Sequence, residues 1–243
     1  MSCMKKLISL LMVVCFWSGT VTLGGTHTYE QEAECMGVFG EDTVQVEIDY
    51  ASAQYNEEGT TCYDILNVEE LASAWGMVPE KVREMKFVAL PVQEENVELY
   101  GASPMGLFSR IEIQNVRALG KVCVNKIIAE QITQNMTSKT ITKEIEISVS
   151  TSHSYTTSVQ LGINVEVSSI SSAVGFDVEE TLTITDRTVV ELGPGESVEI
   201  VAVPLCSAYQ FDIYQWKLLA GTNHVGNGYA YQVIGLCITT YEM

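Results

Sequence analysis

Histidine is scarce, with three in 243 residues, and Lys and Arg together number 13 against 31 Asp and Glu. His27, His153 and His224 each stand alone, outside any HExxH pattern and away from cysteine at ligand spacing. A zinc site therefore has no donor set, and each histidine reads as a strand or surface residue. The net charge of −18 argues against a nucleic-acid partner, whose phosphates demand a basic surface. It also argues against simple electrostatic adhesion to anionic lipid; its plainest consequence is solubility. GxSxG, Walker and GxGxxG patterns are absent, which removes the nucleophile elbow and the common phosphate cradles. Gly193-Pro194-Gly195 is no substitute, since proline lacks the N–H that a cradle uses. The acidic pairs Glu57-Glu58, Glu69-Glu70, Glu94-Glu95 and Glu179-Glu180 lack EF-hand spacing and read as solvated charge. The sequence predicts no enzyme activity, no metal and no cofactor.

Long apolar runs are also few. Leu7–Trp17, preceded by Lys5 and Lys6, is too short to span a bilayer comfortably and fits the core of a secretory signal peptide over residues 1–24. Cleavage fits after Thr20 or after Gly24, and Val14 argues against lipid attachment at Cys15. No later run is long enough for a membrane-spanning helix, so the expected location is secreted and extracellular. Five cysteines follow the leader: Cys35, Cys62, Cys123, Cys206 and Cys237. Five is odd, so at least one thiol is free or pairs between chains. Cys35–Cys62 and Cys206–Cys237 are the pairs that proximity in sequence suggests, and no CxxC spacing points to a redox or zinc site. Asn135-Met-Thr137 is a glycosylation sequon with meaning only in a eukaryotic host.

What is abundant is alternation. Between Thr133 and Thr188 lie 11 threonines and 10 serines. Through this stretch Ile145, Ile147, Val149, Val159, Leu161, Ile163, Val165 and Val167 fall on odd positions. Ile170, Val174, Phe176, Val178, Leu182 and Ile184 fall on even ones. A period of two marks strand. The change of parity at Ser168-Ser169 fits a hairpin turn there, pairing residue i with residue 337−i and so Val167 with Ile170, Ile163 with Val174 and Ile145 with Leu192. A β-bulge within one strand also flips parity, and both readings stand at this point.

Elsewhere, Thr43–Tyr50 alternates, and Asn67 with Glu70 suggests a capping box opening a helix, with a second short helix after Pro79. Two helices about a glycine superficially suggest a DNA-binding helix-turn-helix, which the acidity and the expected export set aside. Lys86–Val92, Phe108–Val116 and Lys121–Gln131 read as strands. Val189–Leu192 and Ser197–Val203 flank the Gly193-Pro194-Gly195 turn, Tyr209–Trp216 is aromatic and alternating, and Gly226-Asn227-Gly228 reads as a turn before a strand over Tyr229–Thr240. The expected fold is mainly β: an elongated antiparallel sheet or sandwich with a long Ser/Thr-rich hairpin over 140–192 and a small helical element near residues 67–86. Residues 25–120 form a small α+β region and 121–243 an elongated antiparallel region.

A hairpin with one mildly apolar and one uncharged polar face suits a segment that is soluble first and lines a membrane barrel later. Val159–Val167 and Ile170–Val178 supply nine residues each, with Val159, Leu161, Ile163, Val165, Val167, Ile170, Val174, Phe176 and Val178 as candidates for the lipid face. Over about residues 133–205 this pattern resembles the stem of aerolysin-type β-pore-forming toxins. That resemblance implies secretion, assembly into a homo-oligomeric ring and insertion into a target-cell membrane. Ser171–Tyr214 also resembles uncharacterised exported β-rich proteins of Gram-positive bacteria, a likeness that implies no activity. A non-lytic extracellular binding or structural β-sandwich shows the same alternation; for it, Tyr209, Phe211, Tyr214 and Trp216 form the first surface to test. No lectin-like repeat marks a receptor-binding part.

Overall fold

Two β-branched, alternating C-terminal segments set the framework. Ser197–Lys217 and Gly221–Glu242 are 21 and 22 residues long and pair antiparallel along nearly their whole length. In this computed structural model, which describes residues 43–55, 60–90, 109–124 and 126–243, they are strands β10 and β11 of an antiparallel, mostly β chain. The others are β1 (Thr43–Gln45), β2 (Ile48–Tyr55), β3 (Thr61–Ile65), β4 (Val82–Ala89), β5 (Ser109–Val124), β6 (Ala129–Gln134), β7 (Ile141–Ser152), β8 (Ser154–Val159) and β9 (Thr181–Leu192). The two α-helices are α1 (Val68–Ala74) and α2 (Val167–Val174), and Pro79–Lys81 forms a 3-10 turn. The described residues fall within one compact unit, Cys35–Met243. No helix among them is long and apolar enough to cross a membrane.

One nine-stranded sheet runs in the order β1-β5-β10-β11-β4-β3-β2, with β6 added beside β10 and β8 beside β11. A separate two-stranded sheet, β7-β9, lies over it. Alternation decides which side chains lie between them. Val198, Ile200 and Ala202 of β10 join Leu236 and Ile238 of β11 in one core with Ile145, Ile147, Val149, Ile184, Val190 and Leu192 of the pair. The intervening positions Val201, Val203 and Leu205 join Cys237, Phe87 and Leu71 of α1 in a second core. A third holds Phe211, Ile213, Val225 and Ala230 with Ile170, Phe176 and Val178.

Several expectations need correction. Asn67 caps α1 without a side-chain bond to the helix backbone, its Nδ2 reaching the Glu70 carboxylate at 3.3 Å. Its Oδ1 instead accepts the Glu47 N–H at 2.9 Å, and its Nδ2 donates to the Gln45 carbonyl at 2.8 Å. The residue splints a loop to a strand, and no capping box forms. Gly226 and Gly228 lie inside β11 and make no turn. A Cβ at Gly226 would stand 2.1 Å from the Ser158 carbonyl oxygen, and one at Gly228 2.5 Å from the Phe211 ring. They are glycines because β8 and a core ring approach the backbone there. Cys206 and Cys237 are free thiols. They face different cores, because Cys206 lies opposite Val233 and Cys237 opposite Val203, so no disulfide joins them. Cys62 is likewise free, and its expected partner Cys35 lies outside the described residues, as does the signal peptide.

Candidate functional site

The site is the Ser/Thr-rich stretch, now in two parts. Its base is the β7-β9 ladder, with Ile141 opposite Leu192 and Ser152 opposite Thr181. Residue i therefore faces 333−i, four places from the expected register. An even slip preserves parity, so the face assignment survives the error. Inward-facing Ile145, Ile147, Val149, Ile184, Val190 and Leu192 are buried. Outward, three cross-strand hydroxyl pairs run in a row: Ser148–Thr185 at 3.0 Å, Ser150–Thr183 at 3.2 Å and Ser152–Thr181 at 2.8 Å. Toward the Leu192 end, Arg187 pairs with Glu146 at 3.2 Å and Glu144 at 3.6 Å. One face is apolar and the other wet.

Between Ser152 and Thr181 the expected strand pair is not formed. Val159–Val167 and Ile170–Val178 do not pair with each other. Ser154–Val159 adds to the β11 edge as β8, with Val159 opposite Gly226 and Ser154 opposite Tyr231. A turn at Gly162 follows, closed by the Ile163 N–H on the Gln160 carbonyl at 3.1 Å. Val167, Ile170 and Val174 then stand three and four apart, a helical stripe rather than a strand face, and they form α2. Gly175, at φ 86°, terminates the helix. The Ser171 hydroxyl accepts the Val178 N–H at 3.3 Å, turning the chain back toward β9. Of the nine lipid-face candidates, Ile170, Phe176 and Val178 are buried. Val159, Ile163, Val165, Val167 and Val174 pack part-buried around the same core, and Leu161 is fully exposed. The parity change at Ser168-Ser169 thus falls inside α2, which follows β8 after the irregular stretch 160–166.

Three polar devices hold this stretch down, none of them read from the sequence. Asp186 is buried in the apolar face of β9 and accepts from Lys86 of β4 at 2.8 Å and from the Thr188 hydroxyl at 3.1 Å. Arg83 of β4 donates to the Glu191 carbonyl at 3.0 Å and pairs with Glu196 at 3.0 Å and Glu242 at 2.7 Å. His153, at the junction of β7 and β8, is buried, and its Nδ1 accepts the Val233 N–H at 3.2 Å. That N–H lies on the β11 edge between the reach of β8, which ends at Tyr231, and that of β4, which starts at Gly235. An imidazole filling a gap in a ladder leaves no sequence signal. At the base, Asn135 is wholly buried, its Nδ2 within 2.9 Å of the Leu192 and Gly193 carbonyls and 2.8 Å of that of Lys139. The sequon nitrogen is thus engaged in the fold and closed to glycosylation in this state.

Burial pushes the Cys62 thiol above its ordinary range and Cys206 up to about 12, and burial with the neighbouring Cys237 raises Cys123 well above it. Among the described residues no group of His, Cys, Asp and Glu is arranged to hold a metal ion.

No known protein family matches the chain, and no curated protein matches it. Among solved structures it is similar to parasporin-2, a Bacillus thuringiensis toxin that recognizes cancer cells, at 12% identity over 71% of this chain and 74% of that one, with a TM-score of 0.27. It is also similar to a Bacteroides vulgatus protein assigned as a pore-forming toxin, at 8% identity over 82% of this chain and 81% of that one, with a TM-score of 0.26.

Proposed function

We propose that this is a secreted, aerolysin-like pore-forming protein, in which β7 and β9 form the preassembled base of a hairpin whose remainder is stored as β8 and α2. Release of that stored segment lets it extend the base and enter a target membrane after homo-oligomerisation. The supporting observation is the β7-β9 register. Carried without a slip through 153–180, the 333−i rule sets His153 opposite Glu180 at the join, then Tyr155 opposite Val178, Thr157 opposite Phe176, Val159 opposite Val174, Leu161 opposite Ser172 and Ile163 opposite Ile170. All of these share the side of Ile145, Ile147 and Val149, the apolar side of the base. The other side collects Ser154, Thr156, Ser158, Gln160, Gly162 and Asn164 against Glu179, Asp177, Gly175, Ala173, Ser171 and Ser169. Val165 falls opposite Ser168, and Val167 falls into the closing turn. Each arm greatly exceeds the roughly 9–11 residues a strand needs to cross a bilayer. Closure of a ring of such hairpins satisfies every backbone edge.

The purified mature chain is expected to release a trapped dye from liposomes or red cells and to leave SDS-resistant oligomers. Monomeric protein on intact vesicles contradicts the proposal. The depth at which Ile170 and Val178 are buried favours the other reading, a non-lytic extracellular binding or structural β-protein. That reading predicts no leakage under any condition and recovery of a glycan or protein ligand instead.

A further inference from the structure

A separate feature lies at the end of the sheet where β10 turns into β11. Only Leu218, Leu219 and Ala220 separate the two strands, held by the Ala220 N–H on the Lys217 carbonyl at 3.2 Å. Turn tips ordinarily carry glycine, proline or small polar residues. Here Leu219 is 98% and Leu218 54% exposed. The Gln160–Ile163 turn lies toward the same end, since Gln160 donates to the Val225 carbonyl at 3.0 Å, and it presents a third leucine, Leu161, in full exposure.

Charge separates this end from the rest of the molecule. In a chain of net charge −18, no carboxylate occurs from Ile213 through Val225, where Lys217 lies; the nearest are Asp212, 3.9 Å from His224, and Glu112, opposite Tyr214. Arg110 of β5 lies opposite Trp216 and sets its guanidinium 5.4 Å from the centre of that indole while pairing with Glu112. Leucines at a tip, a tryptophan beside them and cationic side chains behind suit the boundary between lipid headgroups and acyl chains. A stable protein interface takes about 20–30 residues a side, far more than a three-residue tip and one neighbouring turn present.

We infer that the Leu218-Leu219 tip, with Leu161 toward the same end of the sheet, inserts into the interfacial layer of a phospholipid bilayer and makes the first contact with the membrane. This adds a lipid contact to the proposed function and stands on residues of which only Leu161 belongs to the hairpin. Because the whole chain is acidic, the preferred surface is zwitterionic. Added anionic lipid weakens binding through repulsion of the rest of the molecule.

The test is flotation of the full mature chain with phosphatidylcholine vesicles, comparing wild type with L218S/L219S. The bound fraction is expected to fall at least tenfold in the variant, with the thermal midpoint unchanged, and to fall for wild type when phosphatidylserine is mixed in. In a W75F background, Trp216 emission should shift to the blue on vesicles and be quenched by brominated acyl chains. Equal flotation of wild type and variant overturns the inference. So does a concentration-dependent dimer lost in the variant, which assigns the tip to a second copy. A large drop in the variant's thermal midpoint also overturns it, since the leucines are then covered by the chain itself. Flotation without dye release leaves this contact standing and removes the pore reading alone.

Discussion

At the scale of single residues, the polar groups set into apolar surroundings carry the sharpest consequences. Asp186 has 1% of its side chain exposed and Lys86 14%, so removing either partner leaves an unpaired charge in a nearly dry site. Such losses cost roughly 3–5 kcal/mol, whereas replacing both partners by apolar groups of similar volume is often neutral or stabilising. Denaturant unfolding of D186N and K86M is therefore expected to show a loss of that order, and K86M/D186L to recover most of it. If both single variants unfold with the wild type, the pair is not what fastens β9 to β4. Thiols give a second check. Cys123, Cys206 and Cys237 are buried, and burial holds the thiolates of Cys123 and Cys206 back; among the described cysteines Cys62 alone is part-exposed, and its thiol too is raised. Mild alkylation followed by mass spectrometry should mark Cys62 first and leave the other three unmodified until the chain unfolds. A Cys206–Cys237 disulfide in the native protein would contradict the register of β10 on β11.

Elements show what the sequence makes legible and what it hides. Period-two alternation correctly marks β7 and β9 and assigns Ile145, Ile147, Val149 and Ile184 to the buried side, because burial on one face enforces it. Parity alone fixes a face but not a turn, so the expected register lies four residues from the observed one. Val167, Ile170 and Val174 satisfy a strand parity rule and a helix stripe equally, and short apolar runs do not distinguish the two. What decides is tertiary: a core around Phe211 and Ile213 that takes the stripe, and Gly175 to end the helix. Gly226 and Gly228 mislead for a similar reason, since a glycine needed for close approach looks like a glycine needed for a turn. The G228A variant places a methyl 2.5 Å from the Phe211 ring and 2.6 Å from the Thr156 carbonyl oxygen. It should cost about 1–3 kcal/mol through overpacking and loosen β8 selectively, read as faster hydrogen exchange at Tyr155–Val159 than along β10. Uniform exchange along both strands would contradict the role given to these glycines.

The turn from β9 to β10 carries a pH dependence. The Gly193 N–H, then Arg83, hold the Glu196 carboxyl below its ordinary value of 4.5. A lowered folded value means that its contribution is whole above the ordinary value and disappears as pH falls through the folded one. Acidification below pH 4.5 should thus weaken the link between β4 and the end of β9, and E196Q should remove that part of the acid sensitivity. Because Glu196 is solvent-exposed the effect is small. A profile identical for E196Q and wild type would show that Arg83 gains nothing from this partner.

At the scale of the whole molecule, the described residues form a large sheet with an amphipathic ladder laid over it, and the segment between the ladder's two strands lies apart from them as β8 and α2. The fold class follows from composition and alternation. The placement of β8 and α2 does not, because it depends on a gap in the β11 edge, on His153 filling that gap and on a buried site for Ile170. The same residues read as a hairpin in the sequence because one face of that hairpin is mostly apolar along the 333−i register, interrupted at Lys143, at His153 with Glu180, and at Asp186. The proposed function requires that the segment pass from the one arrangement to the other.

The most direct measurement of that claim is a scan of an environment-sensitive fluorophore, attached through single cysteines at positions 154 to 165 in a chain whose native cysteines are replaced, before and after addition to liposomes. Refolding into a membrane hairpin predicts alternation, with blue-shifted, lipid-quenched emission at 155, 157, 159, 161, 163 and 165 and aqueous emission at the positions between. No change on vesicles, or a change without a period of two, would contradict it.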